Sequence, residues 1–120
     1  MKKLNKYVGN YGENLAVQFL IDNNYNIIQK NFSCKYGEID IIALNENTLC
    51  FIEVKSRFSL EYGYPSEAVT TSKINKIYRT AEFFIFKNNL YNINCRFDVI
   101  EIFLNYNDTD VKFNLLKNVI

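Results

Sequence analysis

Two strand-like segments separated by a short polar turn are the feature that most constrains the fold. The first is Glu38-Ile-Asp-Ile-Ile-Ala-Leu44 and the second is Leu49-Cys-Phe-Ile-Glu-Val-Lys55. Between them lies the polar segment Asn45-Glu-Asn-Thr48. Apolar runs of this length on either side of a short polar turn are typical of two antiparallel strands. The sequence therefore predicts a β-hairpin near the middle of the chain.

The segments on either side of the hairpin supply helices and further strands. Apolar residues at helical spacing predict a first helix over 10–23, with Asn10 as its N-cap and Glu13 three residues on, as in a capping box. A second helix is predicted over 66–88 or 72–88, after a loop that spans 56–65.

Three more segments have the composition of strands: 25–32, 95–104 and 111–116. Together with the hairpin and the helices they give the order α-β-β-β-α-β-β. A three-strand meander followed by a helix and another strand predicts an α/β fold, in which helices flank a mixed sheet. The 120 residues are the size of one domain, so a single domain over 1–120 is expected.

The composition excludes several kinds of chemistry. The chain contains no His, and its three Cys are far apart without a CxxC pair. The absence of His removes imidazole-based triads and zinc sites with His ligands, and the Cys spacing argues against a redox site. Carboxylates, lysines, hydroxyls and a bound metal remain as sources of chemistry. The net charge of +1 means that any nucleic-acid-binding surface must come from local arrangement.

The location of the protein is predicted from what the sequence lacks. No apolar run approaches the roughly 20 residues that a membrane-spanning helix needs. The basic residues at the N-terminus are not followed by the apolar segment of a signal peptide. We therefore expect a soluble, cytoplasmic protein without a membrane partner.

The hairpin arranges its charged residues in a pattern that suggests a site. A turn centred on 46–47 would place Asp40 opposite Glu53 and Glu38 opposite Lys55. Because side chains alternate along a strand, these four are expected on one face. The opposite face, expected to form the core, would carry Ile39, Ile41, Ile52 and Val54.

Facing carboxylates repel one another, and the repulsion destabilises a sheet by a few tenths to about 1 kcal/mol. A divalent cation between Asp40 and Glu53 would remove the repulsion, and oxygen ligands suit Mg²⁺ or Mn²⁺. Lys55 would place an ammonium beside the same position. A metal with a lysine alongside is suited to phosphodiester hydrolysis, because the lysine can orient water or stabilise charge on the phosphate. The alternative is a solvent-exposed strand face with a Glu38–Lys55 ion pair.

Four segments, taken in order, carry a family resemblance: Gly37-Glu-Ile-Asp-Ile-Ile-Ala43, Phe51-Ile-Glu-Val-Lys-Ser-Arg57, Ala68-Val-Thr70 with Lys73, and Arg96-Phe-Asp-Val-Ile100. The chain resembles, from about Tyr11 to Ile102, the bacterial YraN family of small proteins related to Holliday-junction resolvases of the PD-(D/E)xK nuclease superfamily. The resemblance implies a restriction-endonuclease-like fold, in which a mixed central sheet has a helix on each side.

The resemblance also implies roles for individual residues. Asp40 corresponds to the motif aspartate, and Glu53 and Lys55 correspond to the ExK element. Asp40 and Glu53 would then be the ligands of Mg²⁺ or Mn²⁺, and Lys55 would act on water or phosphate. Glu13 matches the acidic residue that resolvase-like members add from the first helix, although its capping-box interpretation remains open. Glu38 would lie beside the site.

Cations near the site would be needed to bind nucleic acid. The candidates are Lys35, Arg57, Lys73, Lys76 and Arg79. Lys73, Lys76 and Thr80 are predicted on the polar face of the second helix, where lysines can also serve solubility alone. Aromatic residues of the loop before this helix could stack on bases, pack inward or form a dimer contact: Phe58, Tyr62 and Tyr64. Arg96 and Asp98 are expected to form a structural pair.

These observations predict a metal-dependent nuclease that hydrolyses phosphodiester bonds in DNA, including branched or processed intermediates. The alternative is a non-catalytic nucleic-acid-binding module with the same fold, and a third interpretation is a scaffold protein. A resolvase-like role would require a two-fold homodimer to cut two strands symmetrically.

Overall fold

The computed structural model describes residues 2–57, 71–104 and 111–119, with side chains from Tyr11 onward. Its elements follow the predicted order, α-β-β-β-α-β-β. They are α1 (Lys2–Asp22), β1 (Tyr25–Cys34), β2 (Gly37–Asn45), β3 (Thr48–Arg57), α2 (Thr71–Lys87), β4 (Asn94–Phe103) and β5 (Lys112–Leu116). The predicted loop over 56–65 begins later than expected, because Ser56 and Arg57 belong to β3. The aromatic residues predicted there, Phe58, Tyr62 and Tyr64, lie outside the described residues.

The five strands form one mixed sheet in the order β1-β2-β3-β4-β5. Only β3 and β4 are parallel; the other neighbours are antiparallel. A parallel pair needs a crossover, and α2 provides it. Because α2 runs back along the sheet, its first turn lies at the end where β3 finishes. The predicted mixed sheet flanked by helices is confirmed.

A helix covers each face of the sheet, with a buried cluster beneath it. On one face, Ala16 and Leu20 of α1 pack against a cluster that includes Ile41, Ile52 and Ile100. On the other face, α2 contributes Ala81 and Phe84 to a cluster with Phe32, Phe51, Phe97 and Ile39. Strands covered on both sides carry near-continuous apolar runs, as β2 does at Ile41, Ile42 and Ala43.

The first helix begins at Lys2, not at the predicted Asn10. Asn10 lies inside the helix and is not its N-cap, so Glu13 does not occupy the third helical position of a capping box. Lys and Leu residues before Asn10 are good helix formers, and a single interior Asn or Gly costs only about 1 kcal/mol relative to Ala. The capping pattern is therefore misleading, and Glu13 projects from the middle of a long helix.

The predicted hairpin register is confirmed where β2 and β3 pair. The paired residues run from Ile41 opposite Ile52 to Asn45 opposite Thr48. The turn consists of Glu46 and Asn47, and Glu46 takes a left-handed conformation with φ of 57°. This register brings Asp40 and Glu53 to equivalent positions just beyond the last pair.

Arg96 and Asp98 form the expected structural pair at the hairpin-turn end of the sheet. Arg96 Nε donates to both carboxylate oxygens of Asp98 at 3.0 Å. Arg96 Nη2 also donates to the Tyr25 hydroxyl and to Asn45 Oδ1. The backbone N–H of Asn118 donates to Asp98 at 2.9 Å and so attaches the segment after β5 to the sheet. Within the described part of the chain, no helix is apolar enough over a sufficient length to cross a membrane.

Candidate active site

The β2–β3 hairpin opens at Asp40. Pairing between the strands ends at Ile41 and Ile52. Beyond it, the backbone N–H of Val54 donates to Asp40 Oδ2 at 2.8 Å. Strand N–H groups point along the plane of the sheet toward the neighbouring strand. The Asp40 carboxylate therefore lies in the gap between β2 and β3, and does not stand on one face as predicted.

The opening coincides with a change of face in β2. Ile41 packs in the α1 cluster, whereas Ile39 packs in the α2 cluster, although alternation predicts that both lie on one face. The prediction of a single apolar face is therefore wrong at Ile39. The neighbouring strand is irregular at the same level, because Asn31 in β1 has a positive φ of 54°. The alternation of faces in β2 therefore breaks at Asp40, the residue whose carboxylate accepts the Val54 N–H of β3.

Asp40 lies among other carboxylates. Burial raises the pKa of the Asp40 carboxyl above its usual value, and the hydrogen bond from the Val54 N–H partly lowers it. The charges of Glu53, Glu13 and Glu38 raise the pKa further. The charges of the other two predicted acids and of Glu38, on three elements in all, thus act on Asp40. The site has an excess of negative charge, which a cation would neutralise.

Lys55 places a cation beside this group. Its Nζ lies 3.4 Å from Glu53 Oε1. The side chain of Glu53 is 48% exposed and that of Lys55 is 29% exposed, so both reach solvent. An ammonium and a carboxylate that remain accessible can exchange partners when a ligand binds, because exposed pairs are weak.

The predicted cations lie around the same end of the sheet, although to different extents. Lys76 packs near Gly37, three residues before Asp40. Lys35 lies on the turn before β2, with its ammonium 5.1 Å from the centre of the Tyr36 ring. Arg57 ends β3, two residues after Lys55.

The other cations lie on α2, where one prediction fails. Lys73 and Arg79 are exposed on this helix. Thr80, predicted on the same polar face, is fully buried. Its hydroxyl donates to the Lys76 carbonyl at 2.7 Å, and Gly37 packs directly over it. Because the hydroxyl is satisfied within the helix, Thr80 can face the sheet, so the basic face of α2 is narrower than predicted.

The sequence interpretation missed three residues near the site. Gly12, which immediately precedes Glu13 in α1, packs against Ser56 of β3. Glu101 of β4 is buried, pairs in register with Lys55, and accepts a hydrogen bond from Asn114 at 2.9 Å. The available signal for Glu101 is an acid flanked by apolar residues on both sides, Val99-Ile100 and Ile102-Phe103. The Gly12–Ser56 contact depends on tertiary packing, which local patterns do not report.

The donor set limits how a metal could be held. Among residues 2–57, 71–104 and 111–119, no group of three or more His, Cys, Asp or Glu side chains is arranged as a metal site. Asp40 and Glu53 would be two carboxylate ligands, with the remaining positions left to water or a ligand. Mg²⁺ is commonly held in this way, through one or two carboxylates together with waters and substrate phosphate oxygens. The two carboxylates are thus as many protein ligands as such an ion commonly takes.

Fold and site define an α/β protein whose central hairpin opens around a cluster of carboxylates with a lysine alongside. The sequence pattern of the uncharacterised protein family UPF0102 matches residues 12–102. The chain belongs to this family, which confirms the YraN-like resemblance.

Its relatives match over nearly their whole length. A UPF0102 protein of Clostridium novyi is 45% identical over 118 residues, which cover 98% of both chains. A UPF0102 protein of Clostridium perfringens is 48% identical and one of Clostridium botulinum is 49% identical; each match covers 98% of this chain and 97% of the relative.

Proposed function

We propose that the protein is a divalent-metal-dependent nuclease that hydrolyses phosphodiester bonds in DNA. The observation that carries the proposal is the Asp40 carboxylate, held in the opened hairpin among the charges of Glu53, Glu13 and Glu38. Such a cluster is costly without a cation, because like charges in a partly buried site repel. The resemblance to PD-(D/E)xK resolvases supports the same residues in the same roles.

Asp40 and Glu53 would hold Mg²⁺ or Mn²⁺. The ion would supply Lewis-acid polarisation of the phosphate and a lower pKa of a bound water. The Val54 N–H fixes Asp40 Oδ2, so the orientation of this carboxylate is set before any ligand binds. Pre-set orientation lowers the entropy cost of assembling a site.

Lys55 would stabilise charge on the phosphate or orient the attacking water. Its ammonium lies 3.4 Å from Glu53 Oε1, so Glu53 holds it beside the position proposed for the ion. Glu13 would add negative charge from α1 and strengthen cation binding. Lys55 contributes the positive charge to a site that has four acids. It is therefore the side chain in this group best suited to contact an anionic substrate.

The cations around Gly37 and along α2 would bind the DNA backbone. Lys35 and Lys76 lie beside the β1–β2 turn, and Arg57 ends the strand that carries Glu53 and Lys55. Phosphate contacts of this kind position a substrate without reading its sequence. Lys73 belongs to the first turn of α2, at the end of the sheet where β3 finishes.

The test is a panel of duplex, nicked, flap, four-way-junction and single-stranded DNA, assayed with Mg²⁺ and with Mn²⁺. Wild-type protein should cleave at least one substrate, and Asp40→Asn, Glu53→Gln and Lys55→Met should each lose at least about 100-fold in rate. Glu46→Gln, which removes a carboxylate from the distant hairpin turn, is the matched control and should retain full activity. Cleavage that persists in Asp40→Asn would contradict the proposal.

DNA binding is tested separately, with Ca²⁺ in place of Mg²⁺. Replacing both Lys73 and Lys76 by Ala should weaken binding of every DNA sequence alike and reduce the salt slope by about one for each phosphate group that is no longer bound. Lys87→Ala, in the last turn of α2, is the control and should leave the slope unchanged. Salt-dependent binding without cleavage of any substrate would instead favour the non-catalytic module.

A further inference from the structure

We infer that Gly12 is a positioning residue of the site, because its missing side chain lets α1 approach β3 closely enough for Glu13 to reach the surroundings of Asp40. This inference rests on the proposed function, since it concerns the same acidic cluster. It assigns a role to Gly12 and Ser56, and neither residue touches the proposed substrate.

The contact between the two elements is unusually close. A Cβ atom built at Gly12 would overlap the Ser56 hydroxyl and lie 3.0 Å from Ser56 Cβ. The next nearest atom is Ile102 Cδ1, at an ordinary contact distance of 3.9 Å. The nearest obstacle at Gly12 is therefore the Ser56 side chain, and a methyl group there would have to displace that side chain or separate α1 from β3. Glycine permits this approach because it has no Cβ.

Ser56 has its own oddity. Its Oγ is buried and has no hydrogen-bond partner among the described residues. A buried hydroxyl without a partner is unfavourable, so hydrogen bonding does not explain a serine here. The small size of the residue does, because Ser56 faces α1 at the level of Gly12.

Glu13 follows Gly12 directly on a rigid helix, so a shift of α1 at Gly12 moves Glu13 by a similar distance. Gly12 lies against Ser56, the residue after Lys55 in β3, so Glu13 belongs to the end of the sheet that carries the proposed site. Its charge is also among those that raise the pKa of Asp40. A displacement of about 1 Å at a catalytic group can cost about 100-fold in rate. Ala16, one turn further along α1, is also small and fully buried, and it packs in the hydrophobic cluster.

The experiment compares seven variants. Five are Gly12→Ala, Ser56→Gly, the double variant Gly12→Ala/Ser56→Gly, Glu13→Gln, and Ala16→Gly as the control. The other two add Glu13→Gln to Gly12→Ala and to the double variant. Calorimetry measures the Mn²⁺ affinity of each variant. The cleavage rate is measured in the presence of Mn²⁺, and the thermal unfolding midpoint reports stability. Gly12→Ala should lose about 10- to 100-fold in both Mn²⁺ affinity and rate, as Glu13→Gln does. Adding Glu13→Gln to the Gly12→Ala variant should lower its Mn²⁺ affinity and cleavage rate by less than about a further 3-fold.

Rescue distinguishes positioning from general destabilisation. The double variant should recover Mn²⁺ affinity and rate to within about 3-fold of Ser56→Gly alone, because it removes the obstructing side chain. Ala16→Gly should lower the unfolding midpoint but leave Mn²⁺ affinity unchanged. If Gly12→Ala does not fold, the double variant still decides the matter, since it should fold and still respond to Glu13→Gln.

The inference is overturned if the Gly12→Ala variant folds and the further substitution Glu13→Gln lowers its Mn²⁺ affinity and cleavage rate as much as in the wild type. It is also overturned if adding Ser56→Gly to Gly12→Ala restores stability without restoring Mn²⁺ affinity. Wild-type protein that binds Mn²⁺ but cleaves no substrate would defeat the proposed function alone, and the Mn²⁺ affinities of the variants would still test the inference.

Discussion

Two aspartates in the same sheet have opposite surroundings. Asp98 is 1% exposed, yet it accepts hydrogen bonds from Arg96, from the Asn118 N–H and from Tyr25. Asp40 accepts one backbone N–H and lies among the charges of three glutamates. Asp98 obtains its counter-charge from the protein itself, whereas Asp40 lies in a surplus of negative charge. The first arrangement serves stability, and the second is suited to binding a cation.

The largest predicted effect removes the charge of Asp98. Asp98→Asn should lower the free energy of unfolding at pH 7 by about 3 kcal/mol, because it leaves the Arg96 guanidinium without its carboxylate partner. Urea denaturation measures this change. Glu82→Gln, an exposed acid on α2, should change stability by less than about 0.5 kcal/mol. A decrease below about 1 kcal/mol in Asp98→Asn would contradict the structural role.

Removal of the Tyr25 hydroxyl tests the same network more gently. Burial, with a smaller contribution from Asp98, raises the Tyr25 pKa to about 12, so the hydroxyl stays protonated and can donate to Asp98. Tyr25→Phe should cost about 1 kcal/mol in the free energy of unfolding, because Arg96 Nη2 would no longer have this acceptor at 2.8 Å. Tyr91→Phe, at an exposed tyrosine, is the control and should change stability little. Equal effects of the two substitutions would argue against the network.

The Asp40→Asn substitution should change the free energy of unfolding in the direction opposite to Asp98→Asn. In metal-free protein at pH 7, it should raise the free energy of unfolding by a few tenths to about 1 kcal/mol, because it relieves repulsion from Glu53, Glu13 and Glu38. The amide oxygen can still accept the Val54 N–H. Glu46→Gln serves as the control for removal of one negative charge. A destabilised Asp40→Asn would show that the carboxylate contributes to stability as Asp98 does.

The smallest expected effect is the pH dependence of the stability difference between the wild type and Asp40→Asn. The folded-state pKa of Asp40 is raised above 3.8, so between that value and the raised pKa the folded chain binds more protons than the unfolded chain. Stability of the wild type relative to Asp40→Asn should therefore fall as pH rises through this window and level off above it. Urea denaturation of both proteins from about pH 3.5 to about pH 8 measures the trend. A relative stability that rises with pH would contradict the raised pKa.

The sequence predicts the parts of this comparison that depend on local pattern. The hairpin register follows from a short symmetric turn, and the Arg96–Asp98 pair follows from alternation on one strand. The break in alternation at Asp40 does not, because it coincides with contacts to neighbouring strands: an irregular Asn31 in β1 and a hydrogen bond from the Val54 N–H. A regular strand would put Asp40 on a face rather than in the gap between two strands.

Errors elsewhere have similar causes. The predicted start of α1 is wrong because Asn10 resembles a cap, while nothing in the local pattern shows that the helix has already begun at Lys2. The prediction for Thr80 fails because its hydroxyl suggests exposure, although the Lys76 carbonyl satisfies it. Asp40, Glu53 and Lys55 remain predictions as a catalytic set, since their chemistry has to be measured.

Calorimetric titration of Mn²⁺ into metal-free protein tests the central claim most directly. Wild-type protein should bind about one Mn²⁺ per chain, and Asp40→Asn should bind at least about 100-fold more weakly while remaining folded. Glu46→Gln should match the wild type. No binding by the wild type, or equal binding by Asp40→Asn, would contradict the assignment of Asp40 and its neighbouring carboxylates as a cation site.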